Sequence, residues 1–203
     1  MDILLATNNQ GKVRELVKLL GDLPFNVLSL QDFPEIGEIE EDGETFADNA
    51  LIKARTAAGI SRLLTLADDS GLEVDALEGR PGVHSARFAG EPKDDSENNA
   101  KLLELLRDVP AEQRTARFKS VIAVVAPSGE EYLTEGACEG VIGFTPKGTE
   151  GFGYDPLFFV TEFDKSFSEL TLEEKNSISH RGKALRAALE ILRKLANSVR
   201  LPE

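Results

Sequence analysis

Two adjacent carboxylates are the first chemistry this sequence offers: Asp68 and Asp69, in Leu66-Ala67-Asp68-Asp69-Ser70-Gly71-Leu72. Successive side chains on an extended backbone point to opposite sides, so the two would do different jobs. One reading is a hard-metal ligand or general base. The other is a capped turn, since Asp and Ser favour turns and N-caps. A second constellation is Thr7-Asn8-Asn9-Gln10-Gly11-Lys12, a polar loop between an apolar run and a helical pattern. Backbone N–H groups and a lysine charge there suit an anion. The loop lacks the Gly-x-x-x-x-Gly-Lys-Ser/Thr spacing, and a capped helix start is an equal reading. A third is Gly151-Phe152-Gly153-Tyr154-Asp155-Pro156. An aromatic ring on such a loop suits a planar base; the alternative is a mobile loop anchored by one aromatic. The last is Lys175 with Ser179-His180-Arg181 at a helix start. The helix dipole disfavours cations there, which points to an anionic or acceptor-rich ligand.

These residues need elements to hold them. Thr65-Leu66-Ala67 reads as the end of a short buried strand, with Gly71 allowing a sharp turn after it. Carboxylates at the carboxyl end of a strand sit where α/β folds bind ligands. Ile3–Ala6 reads as a buried strand, followed by a helix with Val13, Leu16, Val17 and Leu20 on one face. Asn26–Leu30 reads as a second strand. An acidic loop follows, with Glu35, Glu38, Glu40, Glu41 and Asp42. Thr45 and Asp48 form an acidic capping box for a helix over Phe46–Ile60. Lys53 within it is assigned to a solvated face. Ser96 and Asn99 open a helix carrying Leu102, Leu103, Leu105 and Leu106. Arg117–Ala126 and Glu131–Ile142 read as a long hairpin, and Leu157–Val160 as a short strand. Ser179 caps a final helix with Leu185, Ala188, Leu189, Leu192 and Leu195 on one face. His84 reads as structural.

The 203 residues are 41% hydrophobic, enough for a core, and suit one domain spanning 1–203. A net charge of −13 argues against a nucleic-acid polymer as partner, which needs a basic footprint. A small phosphorylated ligand stays open, because a few local cations and a metal reverse the sign at one site. The one cysteine, Cys138, rules out an intrachain disulfide and fits a reducing compartment. The first residues lack the basic start and apolar length of a signal peptide. No apolar run approaches the ~20 residues that span a membrane. A soluble cytoplasmic protein is expected.

Taken in order, Thr7–Lys12, Ala67–Leu72, Gly151–Pro156, and Lys175 with Ser179-His180-Arg181 resemble the non-canonical purine nucleoside triphosphate pyrophosphatases, also called inosine triphosphate pyrophosphatases. Pro81-Gly82 and Ser85-Ala86-Arg87 are similar too, and the likeness covers essentially the whole chain. The resemblance implies an α/β fold, with a mixed, strongly twisted sheet in two lobes around a central nucleotide-binding cleft. It implies a homodimer that uses Mg²⁺ to cleave ITP, dITP and XTP to the monophosphate and pyrophosphate. By that resemblance Thr7, Asn8, Asn9, Gln10, Gly11 and Lys12 hold the triphosphate. Asp69 ligates metal or activates water, and Glu41 is the second metal carboxylate, with Glu40 as the alternative. Ser70 and Lys175 contact the nucleotide. Phe152, Gly153, Tyr154 and Asp155, with His180 and Arg181, form the base pocket. Arg181 is donor-only, so it would pair with the O6 acceptor of hypoxanthine or xanthine and meet adenine's N6 donor unfavourably. Two other readings are a pyrophosphatase for modified pyrimidines or ordinary nucleotides, and a nucleotide sensor without turnover. The base-pocket segments oppose the first; the presence of Asp69 and Lys12 opposes the second.

Overall fold

The computed structural model describes residues 1–21 and 25–198, without the side chains of Gln10, Glu15, Leu16, Leu19, Asn197 and Ser198. The expected roles of Gln10 and Leu16 therefore lie outside the described side chains. Among the described residues, seven strands form one mixed sheet in the order β2-β1-β3-β4-β5-β6-β7. They are β1 (Asp2–Leu5), β2 (Asn26–Ser29), β3 (Leu64–Val74), β4 (Thr115–Val125), β5 (Glu131–Ile142), β6 (Phe158–Val160) and β7 (Lys165–Ser166). β1 is parallel to both β2 and β3, whereas β6 is antiparallel to β5 and β7. The helices are α1 (Gln10–Leu20), α2 (Phe46–Ser61), α3 (Asp95–Leu105), α4 (Leu172–Ile178) and α5 (His180–Ser198). The class is α/β, as the sequence predicts. No described helix is long and apolar enough to cross a membrane.

The chain divides into two compact units. The first comprises residues 1–69, 120–136 and 181–203; the second comprises 70–119 and 137–180. In the first, Ile3, Leu5, Leu64, Leu66, Ile122 and Val124 pack with Ala184, Leu185, Ala188 and Leu192 of α5. The helix face read from the spacing of α5 is the one that is buried. Arg55 of α2 holds Glu131 of β5 through two hydrogen bonds, 2.6 and 2.7 Å. On α1, Leu20 is buried and Val13 packs on the core, but Val17 is 45% exposed, so the apolar stripe is narrower than its spacing predicts.

The core of the second unit is aromatic. Phe118 contacts Phe158 and stacks on Phe167, with Leu72, Val74, Leu102 and Leu106 around them. Arg114, 2% exposed, donates to the carbonyls of Leu106, Val109 and Gly143 and so closes the end of α3. Its charge disperses over three carbonyl dipoles, which satisfies a buried guanidinium's donors without a carboxylate.

Three local expectations are corrected. β3 does not end at Ala67 but runs through Asp68, Asp69, Ser70 and Gly71 to Val74. Gly71 is strand, not a sharp turn, and is not among the residues of positive φ. Burial on both faces of a central strand outweighs the weak strand preference of Asp, Ser and Gly. α3 starts at Asp95 rather than at Ser96, because the Asp94 carboxylate caps it by accepting from Glu97 N at 2.9 Å.

Candidate active site

The acidic loop and α2 are joined by two residues one helical turn apart. Asn49 Oδ1 accepts from Gly43 N at 2.8 Å, and a Cβ on Gly43 would lie 2.7 Å from that same oxygen. Only glycine allows this approach. One turn on, Lys53 Nζ donates to Glu41 Oε2 at 2.7 Å and to Asp69 Oδ1 at 3.0 Å. Glu41 is thus the acidic-loop residue brought to Lys53 and Asp69.

Lys53 overturns its assignment to a solvated face, since the residue is only 8% exposed. A signal was available. Phe46, Ala50, Lys53, Ala54 and Ala57 share the buried face of α2, and a lysine inside an apolar stripe must have a buried partner.

Asp68 and Asp69 do have separate surroundings. Asp68 Oδ2 lies 2.6 Å from Lys12 Nζ and 3.6 Å from Arg181 Nε, and its Oδ1 accepts from Ser120 Oγ at 2.5 Å. Burial alone would raise the Asp68 pKa. The charges of Lys12 and Arg181, with the hydrogen bonds from Lys12 and Ser120, outweigh it and hold the carboxyl well below its usual range. Asp69 goes the other way. Burial raises it, Lys53 and Lys12 only partly offset this, and Glu41 adds repulsion. Asp69 Oδ2 is buried with no hydrogen-bond partner among the described residues. A raised carboxylate with one oxygen held and the other unpaired is suited to accept a proton or ligate a cation. Lys53 is raised, since Asp69 and Glu41 overcome its burial, whereas burial leaves Lys12 lowered despite Asp68.

The Thr7–Lys12 loop is internally capped. Asn9 Oδ1 accepts from Gly11 N and Lys12 N at 2.9 and 3.2 Å, and Thr7 Oγ1 accepts from Asn9 N at 3.1 Å. Of the two readings of this segment, the capped helix start describes its backbone. Two of the N–H groups expected to face an anion are already engaged. The Lys12 side chain is aimed at Asp68. Asn8 is exposed, and Thr7 and Gly11 are half-buried.

In the second unit the glycine-rich segment is held at several points. Asp155 Oδ2 accepts from Phe152 N at 2.9 Å and from Lys175 Nζ at 2.7 Å. Gly151, at φ +87°, has no room for a Cβ against the Asp155 carboxylate. Gly153 N donates to Asp95 Oδ2 at 2.7 Å, and Asn99 Nδ2 donates to Gly153 O at 2.8 Å. Tyr154 Oη donates to Ser85 O at 2.8 Å, and burial with the Asp95 charge pushes its pKa up. His180 stacks on Phe118 at 4.9 Å and is 3% exposed. The expected base-pocket residues are therefore split. Tyr154, Asp155 and His180 are buried in internal contacts, Phe152 is 41% exposed, and Arg181 lies beside Asp68. Lys175 Nζ is 5.4 Å from the ring centres of Phe152 and Phe167. Ser70 is half-buried, and His84 is exposed.

Among the described residues no group of three or more His, Cys, Asp or Glu side chains gathers into a metal centre. Residues 3–191 match the model of the Ham1 family. This chain belongs to the Ham1 family. Curated relatives of this Ham1 chain agree along nearly its whole length. The dITP/XTP pyrophosphatase of Desulforamulus reducens is 61% identical over 195 residues, 96% of this chain and 97% of that protein. The dITP/XTP pyrophosphatase of Geobacter sulfurreducens is 56% identical over 183 residues, 90% of this chain and 92% of that protein. Among solved structures, a HAM1 protein from Coxiella burnetii matches with a TM-score of 0.89 at 41% identity, covering 96% of this chain and 99% of that one. The resemblance read from the four segments and the Ham1 assignment agree.

Proposed function

We propose that this Ham1 chain hydrolyses ITP, dITP and XTP to the nucleoside monophosphate and pyrophosphate with Mg²⁺, and so cleanses the nucleotide pool. The observation that carries the reading is the charge cluster of buried Lys53, Asp68 and Asp69 with half-buried Lys12 and the loop residue Glu41, found in a chain whose curated relatives are dITP/XTP pyrophosphatases.

The donor set fits the cation. Mg²⁺ is commonly held by one or two carboxylates together with substrate phosphates and waters, so a three-carboxylate cage is not required. Glu41 and the unpaired Asp69 Oδ2 would hold it. When bound, it neutralises phosphate charge and lowers the pKa of bound water.

The chain's own residues do the rest. Asp69 takes the proton of a water that attacks the α-phosphorus. The bond from that phosphorus to the bridging oxygen breaks, and pyrophosphate leaves with the bridging oxygen. Lys12 and Lys53 neutralise charge that develops on the phosphate oxygens, where fixed charges contribute most. Asp68, anchored by Ser120, aims Lys12. Thr7 and Asn9 set the loop that carries Lys12, with Asn8, Gln10 and Gly11 alongside the triphosphate.

Phe152 stacks on the base, and Arg181 donates to O6. Tyr154, Asp155 and Lys175 act by holding the segment that carries Phe152, and His180 packs on Phe118. Gly153 and Ser70 line the nucleotide. The chain works in the cytoplasm as a homodimer, which size-exclusion chromatography with light scattering checks.

The deciding experiment is pyrophosphate release from ITP, XTP, ATP and GTP, with and without Mg²⁺. Mg²⁺-dependent release strongly favouring ITP and XTP is expected. No release from any of the four, or equal rates on all, sinks the reading.

A further inference from the structure

Lys53 stands where a cation would otherwise be wanted. Its ammonium lies within 3.0 Å of Glu41 Oε2 and Asp69 Oδ1, while Asp69 Oδ2 has no hydrogen-bond partner among the described residues. Alone, Glu41 would set a second negative charge beside the buried Asp69 carboxylate, which is costly. With Lys53 the local charge is −1. The ammonium is fixed from the helix side by the buried face of α2, and from the loop side by the Gly43–Asn49 hydrogen bond that sets Glu41.

We propose that Lys53 is a resident counterion that competes with the divalent cation for Glu41 and Asp69. This rests on the reading of those two carboxylates as the metal ligands. A free cation entering the pair meets a unit positive charge a few ångström away, so it binds poorly by itself. A nucleotide triphosphate changes the balance, since its phosphate oxygens offer the ammonium a new partner. Lys53 then moves from carboxylate to phosphate, and the carboxylates turn to the metal. Metal and nucleotide therefore bind with positive coupling, which must be reciprocal. Lys53 thereby limits metal loading in the absence of substrate.

The test is binding of Mn²⁺ alone to the full chain, followed by electron paramagnetic resonance, with circular dichroism as the folding control. Lys53→Gln keeps hydrogen-bond donors for both carboxylates but removes the charge; Lys53→Arg keeps the charge. The Gln variant is expected to bind Mn²⁺ about tenfold more tightly than wild type or more, as removal of one nearby unit charge at a partly screened site implies. The Arg variant should bind as weakly as wild type. The gain should disappear in Lys53→Gln combined with Asp69→Asn. An α,β-methylene analogue of ITP should tighten Mn²⁺ binding more in wild type than in the Gln variant. Equal or weaker Mn²⁺ binding by a folded Gln variant overturns the proposal. If instead Mn²⁺ bound with the analogue is unaffected by Asp69→Asn and Glu41→Gln, the metal reading itself has failed.

Discussion

Each unit buries an aspartate–lysine contact, and the two are built differently. In the first unit the charges are shared. Lys53 serves Glu41 and Asp69, while Asp68 serves Lys12 and Arg181. One oxygen of Asp69 has no hydrogen-bond partner among the described residues. In the second unit the ion pair of Lys175 among the described residues is with Asp155, and the same Asp155 oxygen accepts the Phe152 N–H. On the proposed reading, Lys53 can leave one carboxylate for phosphate or metal and keep the other, and Asp68 likewise has two cationic neighbours. A one-to-one pair, tied to the backbone and lying near aromatic rings, has nothing to exchange and serves as a brace. The difference separates chemistry from scaffolding more clearly than residue type does.

The largest test of that contrast is Asp69→Asn. It keeps shape and removes charge and basicity, so kcat should fall by about 10²–10⁴, the range for general-base loss. Nucleotide binding should survive, read by calorimetry with the α,β-methylene analogue. Retention of most of kcat at saturating Mg²⁺ would remove Asp69 from the chemistry.

The brace predicts the opposite pattern. Lys175→Met leaves the buried Asp155 charge uncompensated and should destabilise the fold by about 3–5 kcal/mol in urea melts. Adding Asp155→Asn should restore part of that loss. A melt unchanged by Lys175→Met would break the comparison.

Arg181→Ala sharpens it. As a reader of O6, Arg181 should contribute on the order of 1.5–3 kcal/mol to kcat/KM for ITP and much less for ATP. The ITP-to-ATP preference should then fall by about tenfold. Equal losses on both nucleotides would assign Arg181 to phosphate, the role its place beside Asp68 would favour.

The smallest effect is on acid stability. The folded pKa of Asp68 is depressed, so its contribution is complete above the unfolded value of about 3.9. It is lost as pH falls from there toward the folded value. The stability advantage of wild type over Asp68→Asn should therefore shrink below about pH 4, by on the order of 1–2 kcal/mol in denaturant titrations. An advantage that stayed constant down to pH 3 would contradict the depressed pKa.

What could be read from sequence followed the range of the interactions. The Thr45–Asp48 capping box and the buried stripe of α5 depend on residues within a few positions, and both stand as read. The hairpin did too, since β4 and β5 are sheet neighbours joined across Ser128-Gly129. The course of β3 was not legible, because Asp-Asp-Ser-Gly looks like a turn until its distant partners are known. Lys12, Lys53, Ser120 and Arg181 make a charged strand affordable, and none is its neighbour in sequence. Lys53 was legible in principle from the stripe it interrupts. The internal cap of Asn9 was one of two readings that spacing alone left equal.

That uninterrupted β3 also sets how the enzyme should fail. Asp68 and Asp69 ride on β3, which lies between β1 and β4 in the sheet and is paired with β1 from Leu64 to Leu66, and every residue from Leu64 to Asp69 is buried. Sites on surface loops are lost to local opening well before a protein melts. Here Asp68 and Asp69 should be lost only when the sheet itself comes apart, so amide exchange at Ala67–Asp69 should be among the slowest in the chain, and activity lost before global unfolding should trace to the loop that carries Glu41.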